Sequence, residues 1–505
     1  MAQLQEIIGC GLLASIASAA MGVSRLRAPL GADEGYLWFG VQQLLRGRWP
    51  HRDIKSYEPG RYVWCAAFAS AGVAGLAAVR LATHLFLAIA LATALVVLRD
   101  FGLDWGALAA SAVALTWLAH PQHKQFEHGW LLLAWAAIAQ MLAAPTPATM
   151  AWAGATIGLS LFFGFNLFLY AGSALAVSTA CGIVLGWVTL SFDLVAACTG
   201  AGILGLLPFL AMLASPEFRR RFYERRVATV LARGTANLSL PHPWPWRPVP
   251  SQLRAMGRFH QRAFQAFYLS LLLLPLLCGA LVLLQPGLFG PSAPGMLAAA
   301  ALGLFVAHHA ASRADPAHMT QSAGPLCLLL LLATSQQAPV PGPWLVAMLF
   351  GILVWPLHPL VQRRKNAASW GRCDAGGLHI DCAPAQQRLL ALARRCASAR
   401  GSDGLFAAPA YPALYALLGA DAPVYDTFCL YPADNAAQQE MVQGIERSAA
   451  TALVSDAPVD GRDELRFSRT HPLVWAYLSE HFERRETQGV GTAVTLFVRG
   501  ERDAA

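Results

Sequence analysis

An Asp-Glu pair stands at Asp33-Glu34, in a polar segment that follows the first apolar run of the chain. A carboxylate beside a membrane can take the proton of an attacking hydroxyl, as a general base does. A purely structural role competes with that one. Asp33 precedes an amphipathic run over 35–46 and is well placed as a helix N-cap. A second acid, Glu127, lies in His120-Pro-Gln-His-Lys-Gln-Phe-Glu-His128, beside His123 and Lys124. A third polar group, Arg313-Ala-Asp-Pro-Ala-His318, sits between two stretches that hold no Asp, Glu, Lys or Arg. Arginine suits an anionic oxygen group because its planar fork matches phosphate and keeps its charge. Ionisable groups gathered at the ends of apolar stretches, next to bilayer, suggest a site there. For Arg313 and Asp315, a local ion pair bracing a short loop is the structural alternative.

These groups need elements to position them, and composition says which. The 505-residue chain is 56% hydrophobic and 13% charged, about half the charge of an ordinary soluble domain. From Gly129 to Pro216 the only Asp, Glu, Lys or Arg is Asp193, and 263–312 and 316–362 contain none. Apolar runs of roughly 18 residues or more read as transmembrane helices. Candidate spans are 7–23, 81–98, 105–120, 130–144, 152–165, 167–188, 194–213, 264–284, 296–311, 324–335 and 344–361. The segment 62–79 is either a twelfth span or a helix in the interface. The expected fold is therefore a polytopic α-helical membrane protein of about eleven spans. The membrane part is 1–362, with a first large loop at 24–79 and a second at 214–262. The first apolar run could pass for a signal peptide, but the many spans after it favour an uncleaved helix.

The formal net charge of +8 is concentrated: Arg219, Arg220, Arg221, Arg225, Arg226 and Arg233 crowd one segment. It lies between two spans, so lipid phosphate is the anionic partner to expect and nucleic acid is not. A helix that rests on headgroups without chemistry is the plainer reading. Trp244 and Trp246 in Pro-His-Pro-Trp-Pro-Trp read as interfacial anchors or as an aromatic platform. After Gln362 the pattern changes. Residues 386–400, 436–447 and 473–482 have helical spacing, and 404–408, 450–455 and 494–499 read as strands. A small α/β soluble domain over 363–505 follows. Four of the ten cysteines (Cys373, Cys382, Cys396, Cys429) lie in it, and an oxidising compartment would permit a disulfide among them. Tyr411, Tyr415, Tyr425 and Tyr431 form a Tyr/Pro-rich patch there, equally suited to packing and to carbohydrate contact.

The first loop carries more than an acidic pair. Asp33-Glu34, a Tyr two residues on, the Trp49–Asp53 spacing, and Tyr57-Glu58-Pro59 followed by Tyr62 and Trp64 resemble the first extracytoplasmic loop of GT-C glycosyltransferases. The nearest pattern is that of bacterial protein O-mannosyltransferase-like and lipid A aminoarabinose transferase-like enzymes. The resemblance implies that Asp33 is the catalytic base, with Glu34 beside it, and that Glu127 is the second acid. It implies a sugar donor linked to polyprenyl phosphate. Transfer would go to a hydroxyl of an envelope glycan, lipid or protein, on the extracytoplasmic face of a bacterial inner membrane. Arg313 and His318 are then the first candidates for the donor phosphate, followed by Arg61, Lys124 and His123, with Tyr57, Glu58 and Asp315 in support. Two departures stand out. Relatives often have Glu-Lys before the proline, where this chain has Glu58-Pro59, so Arg61 or Lys55 would supply the missing cation. The second acid is often Asp and is Glu here. Metal dependence varies among such enzymes; a divalent metal is possible and none is assigned.

Two other classes compete. A transporter or flippase of a lipid-linked sugar would bury charges at mid-span and repeat its halves. A non-catalytic scaffold would use the tail to bind a partner.

Overall fold

The computed structural model describes residues 2–120, 124–235, 237–337, 341–400, 404–487 and 494–499. Packing divides the chain into two units. One comprises Met1–Arg25 and Leu81–Gln362; the other comprises Leu26–Arg80 and Arg363–Ala505. The long polar loop thus groups with the C-terminal region.

In chain order the helices begin α1 (Ala2–Arg25), α2 (Ala32–Leu45), α3 (Pro59–Ser70), α4 (Gly75–Asp100), α5 (Trp105–Leu118), α6 (Gln125–Ala143), α7 (Pro147–Phe163), α8 (Phe165–Val184) and α9 (Phe192–Met212). Among the described residues, six helices are long and apolar enough to cross a bilayer, seven if the bent pair Pro341–Leu357 and Pro359–Asn366 is one span. Trp105–Leu118, Pro147–Phe163 and Gly324–Gln336 are shorter apolar helices. The chain is an integral membrane protein. Leu204, Leu207 and Leu210 of α9 lie exposed on its outer face, where lipid would satisfy them.

Polar caps punctuate the bundle. Asp104 accepts from the Ala107 N–H, Ser191 accepts from the Leu194 N–H, and Thr146 and Thr149 form a capping box. Small residues set the helix spacing. A Cβ on Gly154 would lie 2.0 Å from the Cys198 carbonyl oxygen, and one on Gly158 would lie 2.2 Å from that of Gly202. Helices α7 and α9 therefore meet backbone to backbone, as membrane helices do where Gly and Ala line the contact. Each expected span coincides with a helix to within a few residues. The last one bends, because Pro356 and Pro359 interrupt it after Val354. The segment 62–79 is not one helix. The twelve residues of α3 extend about 18 Å, well short of the roughly 30 Å hydrocarbon core. Residues 71–74 then break it before α4, helped by Gly72 and Gly75 with φ of +95° and +57°.

The remaining helices of the membrane unit are α10 (Pro216–Phe222), α11 (Ala228–Arg233), α12 (Arg258–Leu284), α13 (Ala293–Ser312), α14 (Pro316–Gln321), α15 (Gly324–Gln337), α16 (Pro341–Val354) and α17 (Pro359–Asn366).

In the other unit a hairpin, β1 (Gly371–Asp374) with β2 (His379–Cys382), precedes α18 (Pro384–Arg400), β3 (Leu405–Ala408), α19 (Pro412–Leu418), α20 (Asn435–Ser448), β4 (Thr451–Ser455), α21 (Phe467–Thr470), α22 (Pro472–His481), β5 (Phe482–Glu486) and β6 (Val494–Arg499). The larger sheet has the order β3-β4-β6-β5, with β3 and β4 parallel and the other pairs antiparallel. Its fully buried strands β3 and β4 pack on Met441, Ile445, Phe467, Val474 and Leu478. This is the α/β fold expected for the tail. The hairpin and β5 are additions; β5 reads Phe-Glu-Arg-Arg-Glu and lacks an apolar run. All ten cysteines are free thiols.

Candidate functional site

Helix α2 begins after Gly31, whose extended backbone caps it without a side chain. Asp33 is therefore not the N-cap. It sits inside the first turn, where a negative charge faces the positive end of the helix dipole. The helix is held by what it buries. Tyr36, Leu37, Trp38 and Phe39 are all buried. Gly35 and Gly40 let neighbours close in: an added Cβ would meet Ala413 Cβ at 2.4 Å and the Tyr62 ring at 2.1 Å.

The Tyr57 hydroxyl donates to Asp33 Oδ1 at 2.6 Å. Tyr57 is fixed on several sides. Its N–H donates to the Tyr62 hydroxyl at 2.9 Å, the Tyr36 ring meets it edge-on at 5.3 Å, and the Arg61 guanidinium lies 5.0 Å from its ring centre. Burial, and then the Asp33 charge, push the Tyr57 phenol well above its ordinary value. Tyr57 is thus a standing donor and Asp33 the acceptor. The Trp49–Asp53 spacing has a local meaning. Asp53 Oδ2 accepts from the Trp49 N–H at 2.7 Å and from Arg52, closing a turn.

The adjacent acid has a different environment. Glu34 is buried, and its two oxygens accept from Arg80 Nε and Nη2, each at 2.8 Å. Arg80 also donates to the carbonyls of Leu26 and Ala28. Glu34 is therefore a bracing residue in a forked pair. Glu58 and Arg61 are buried beside Tyr57, Glu58 as the residue before α3. Lys55 is paired with Asp426 at 2.5 Å.

In the membrane unit, Asp315 caps α14. Its Oδ1 accepts from the backbone N–H of His318 and contacts His318 Nδ1, both at 2.9 Å, and Oδ2 pairs with Arg313 Nε at 2.8 Å. Burial alone would raise the Asp315 carboxyl. The hydrogen bonds and charge of His318, with Arg313, hold it well below the usual carboxylate range. The ion pair anticipated between Arg313 and Asp315 is present. The second large loop clasps the same segment. Arg313 Nη1 donates to the Leu238 carbonyl at 3.1 Å, Asn237 donates to Ser312 Oγ at 2.8 Å, and Gln252 donates to the carbonyls of Ala314 and Pro241.

The His318 ring lies 5.1 Å from that of His309, which is within 2.8 Å of Gln321 Oε1. Lys124 and Glu127 approach to 3.7 Å, and His309 feels both their charges. The start of α6 and the segment from the end of α13 into α14 thus bring Glu127, Lys124, Arg313, Asp315 and His318 into one polar cluster. His123 lies outside the described residues. The arginine-rich segment is α10, a π-helical turn over Tyr223–Val227, and α11. Arg220 pairs with Glu217 and Glu224, and Arg221 with Glu217. Trp244 and Trp246 stack on each other at 5.1 Å, and Trp246 is largely exposed.

Sequence reading passed over Arg80, His309 and Gln321. Arg80 was the cation that opens the second long apolar run, and His309 interrupts another. Both were visible as polar residues in apolar surroundings. Among the described residues, no three His, Cys, Asp or Glu side chains converge as a metal-binding group.

Neither family profiles nor curated proteins match the chain. Solved structures do. A crystal structure of ArnT from Cupriavidus metallidurans bound to undecaprenyl phosphate aligns over 98% of both chains, with a TM-score of 0.52 and 15% identity. A crystal structure of the same protein in the apo state aligns over 98% of both, with a TM-score of 0.50 and 14% identity. The chain thus shares the fold of ArnT, a likeness that the first-loop motif led one to expect.

Proposed function

We propose that this protein is a membrane glycosyltransferase that takes its sugar from a polyprenyl-phosphate carrier. The observation that carries the reading is the likeness, over nearly the whole of both chains, to ArnT bound to undecaprenyl phosphate. The local chemistry agrees with it. Asp33 accepts the proton of the acceptor hydroxyl as its oxygen bonds to the anomeric carbon. The bond from that carbon to the carrier's phosphate oxygen breaks, and the phosphate leaves with the electron pair. Arg313 and His318 receive that charge, with Lys124 as a further cation. Asp315 orients both Arg313 and His318. Glu127 holds Lys124 and serves as the second acid. Tyr57 orients Asp33 through its hydrogen bond, and a hydrogen bond to a carboxylate favours the charged form. Arg61 and Glu58 support Tyr57, and Glu34 braces the turn.

The site and the C-terminal domain face the extracytoplasmic side of a bacterial inner membrane. The acceptor is a hydroxyl of an envelope glycan, lipid or protein.

The test is transfer from radiolabelled polyprenyl-phosphate sugars in membranes that contain the wild type or Asp33→Asn. Loss of a positioned base costs about 10²- to 10⁴-fold in rate. Asp33→Asn with near-normal turnover would remove the assignment.

A further inference from the structure

Tyr57 sits in an irregular stretch between α2 and α3, and such a stretch does not hold a hydroxyl at hydrogen-bond distance by itself. Its own neighbours supply some of the constraint, and a piece of chain far away in sequence supplies the rest. The Lys55 N–H donates to the Tyr425 carbonyl at 2.9 Å, and Lys55 Nζ pairs with Asp426 Oδ2 at 2.5 Å. The Tyr425 hydroxyl donates to the His51 carbonyl at 3.0 Å. Phe428 stacks on Tyr36 at 5.3 Å, and Tyr36 is the ring whose edge meets Tyr57. The second oxygen of Asp426 accepts from the Phe428 N–H at 2.9 Å, so the carboxylate ties its own segment together as it grips Lys55.

We infer that residues 425–428 of the C-terminal region position the candidate base, and that the Asp426–Lys55 pair is the fastening. Asp426 acts through Lys55 on Tyr57, two residues on, and through Tyr57 on Asp33. It is a positioning residue. The inference rests on the proposed role of Asp33. A second fastening offers a control. Asp421 accepts from Gln43 and pairs with Arg46 and Arg48 at the far end of α2, away from Tyr57. Both clamps join the loop to the same domain, but only one leads to the Tyr57 hydroxyl.

Loosening the Asp426 clamp weakens the hydrogen bond from Tyr57 to Asp33. Two consequences separate this from general instability. Turnover falls while donor binding holds, because Arg313, His318 and Lys124, which receive the leaving phosphate in the proposed reaction, lie elsewhere in the chain. The acid limb of the turnover profile also moves to higher pH, because a carboxylate that loses a donor binds its proton more tightly.

The experiment uses the full chain in membranes, with the radiolabelled polyprenyl-phosphate sugar that the wild type turns over. Asp426→Asn and Lys55→Met are each expected to lower kcat about tenfold, with donor KM unchanged within about twofold. The double variant should be no worse than either single one, since both remove one contact. The acid limb should move upward in both, as in Tyr57→Phe, and stay in place in Asp421→Asn. Wild-type kcat and acid limb in both Asp426→Asn and Lys55→Met would overturn the inference. So would an equal displacement of the limb by Asp421→Asn. Should Asp426→Asn fail to accumulate, Lys55→Met carries the same test from the other side of the pair. Asp33→Asn run in parallel keeps the two claims apart. If it stays active, the base assignment fails; if it is inactive while Asp426→Asn is normal, only the positioning claim fails.

Discussion

Two adjacent carboxylates in this loop should respond to amide substitution in opposite ways. Glu34 and Arg80 are nearly inaccessible, at 4% and 3% side-chain exposure, and are joined by two hydrogen bonds of 2.8 Å. Arg80→Met leaves the Glu34 carboxylate buried without its cation and strands the carbonyls of Leu26 and Ala28. Breaking one side of a buried pair costs about 3–5 kcal/mol. For a folding unit of this size, each kcal/mol lowers Tm by about 2–4 °C, so the expected shift is roughly 6–20 °C. Glu34→Gln keeps the shape, loses the charge, and should cost about 1–3 kcal/mol. Glu34→Leu with Arg80→Leu should recover much of the loss, because no charge is stranded. The assay pairs thermal unfolding in detergent with turnover per folded molecule. Glu34→Gln should unfold earlier and transfer sugar within about fivefold of the wild type, whereas Asp33→Asn should keep its Tm and lose at least about a hundredfold in turnover. A Glu34→Gln protein with wild-type Tm and the turnover of Asp33→Asn would refute the division of labour.

Asp315→Asn should lower kcat and kcat/KM together by about tenfold, as measured by initial rates, because the charge that orients Arg313 and His318 toward the leaving phosphate is gone. The carboxyl of Asp315 is held below its ordinary value. Its stabilising contribution is therefore complete above the unfolded value of about 4 and is lost only as pH falls through the lower folded value. Between pH 5 and 8 the turn should show no Asp315-dependent change in thermal stability. Gly158→Leu should force α7 from α9 and lower Tm by several degrees, since its Cβ would lie 2.2 Å from the Gly202 carbonyl oxygen. Gly75→Ala combines a φ of +57° with a Cβ 2.3 Å from the Gly376 carbonyl oxygen; a loss of about 1–3 kcal/mol is expected, again read by thermal unfolding.

The spans and tail elements were legible because each carries a strong local signal. Uncharged apolar runs announced the bundle, and short apolar runs between helical stretches announced β3, β4 and β6. What escaped lacked such a signal. Strand β5 is charged after its first residue, and Phe482 is the residue it gives to the core cluster. Asp33 was misplaced by two positions, because a side-chain cap is the usual signal of a helix start and Gly31 supplies none. Residue type alone did not divide the roles of Asp33 and Glu34. Tyr57 on Asp33, and Arg80, 46 residues beyond Glu34, do so. The Arg313–Asp315–His318 group was readable from its spacing, since its bonds are local. Its extension to His309 and Lys124 was not, because helix ends from distant parts of the chain meet there.

The same reasoning explains why the candidate base cannot be understood from its own loop. The partners of α2 and the stretch that follows it lie some 370 positions further on: Gln42 donates to the Ala416 carbonyl across 374 residues, and Tyr425 reaches His51 across the same separation. Closing the intervening chain costs entropy before such a contact returns anything. The buried face of α2, with Tyr36 and Phe39 against Phe428 and Tyr415, is fully covered only when 411–428 is in place. Asp33 can therefore be intact in sequence and still lack its geometry. Damage at the far end of the chain, at Asp426 or Phe428, then acts on the first loop as a substitution within that loop would.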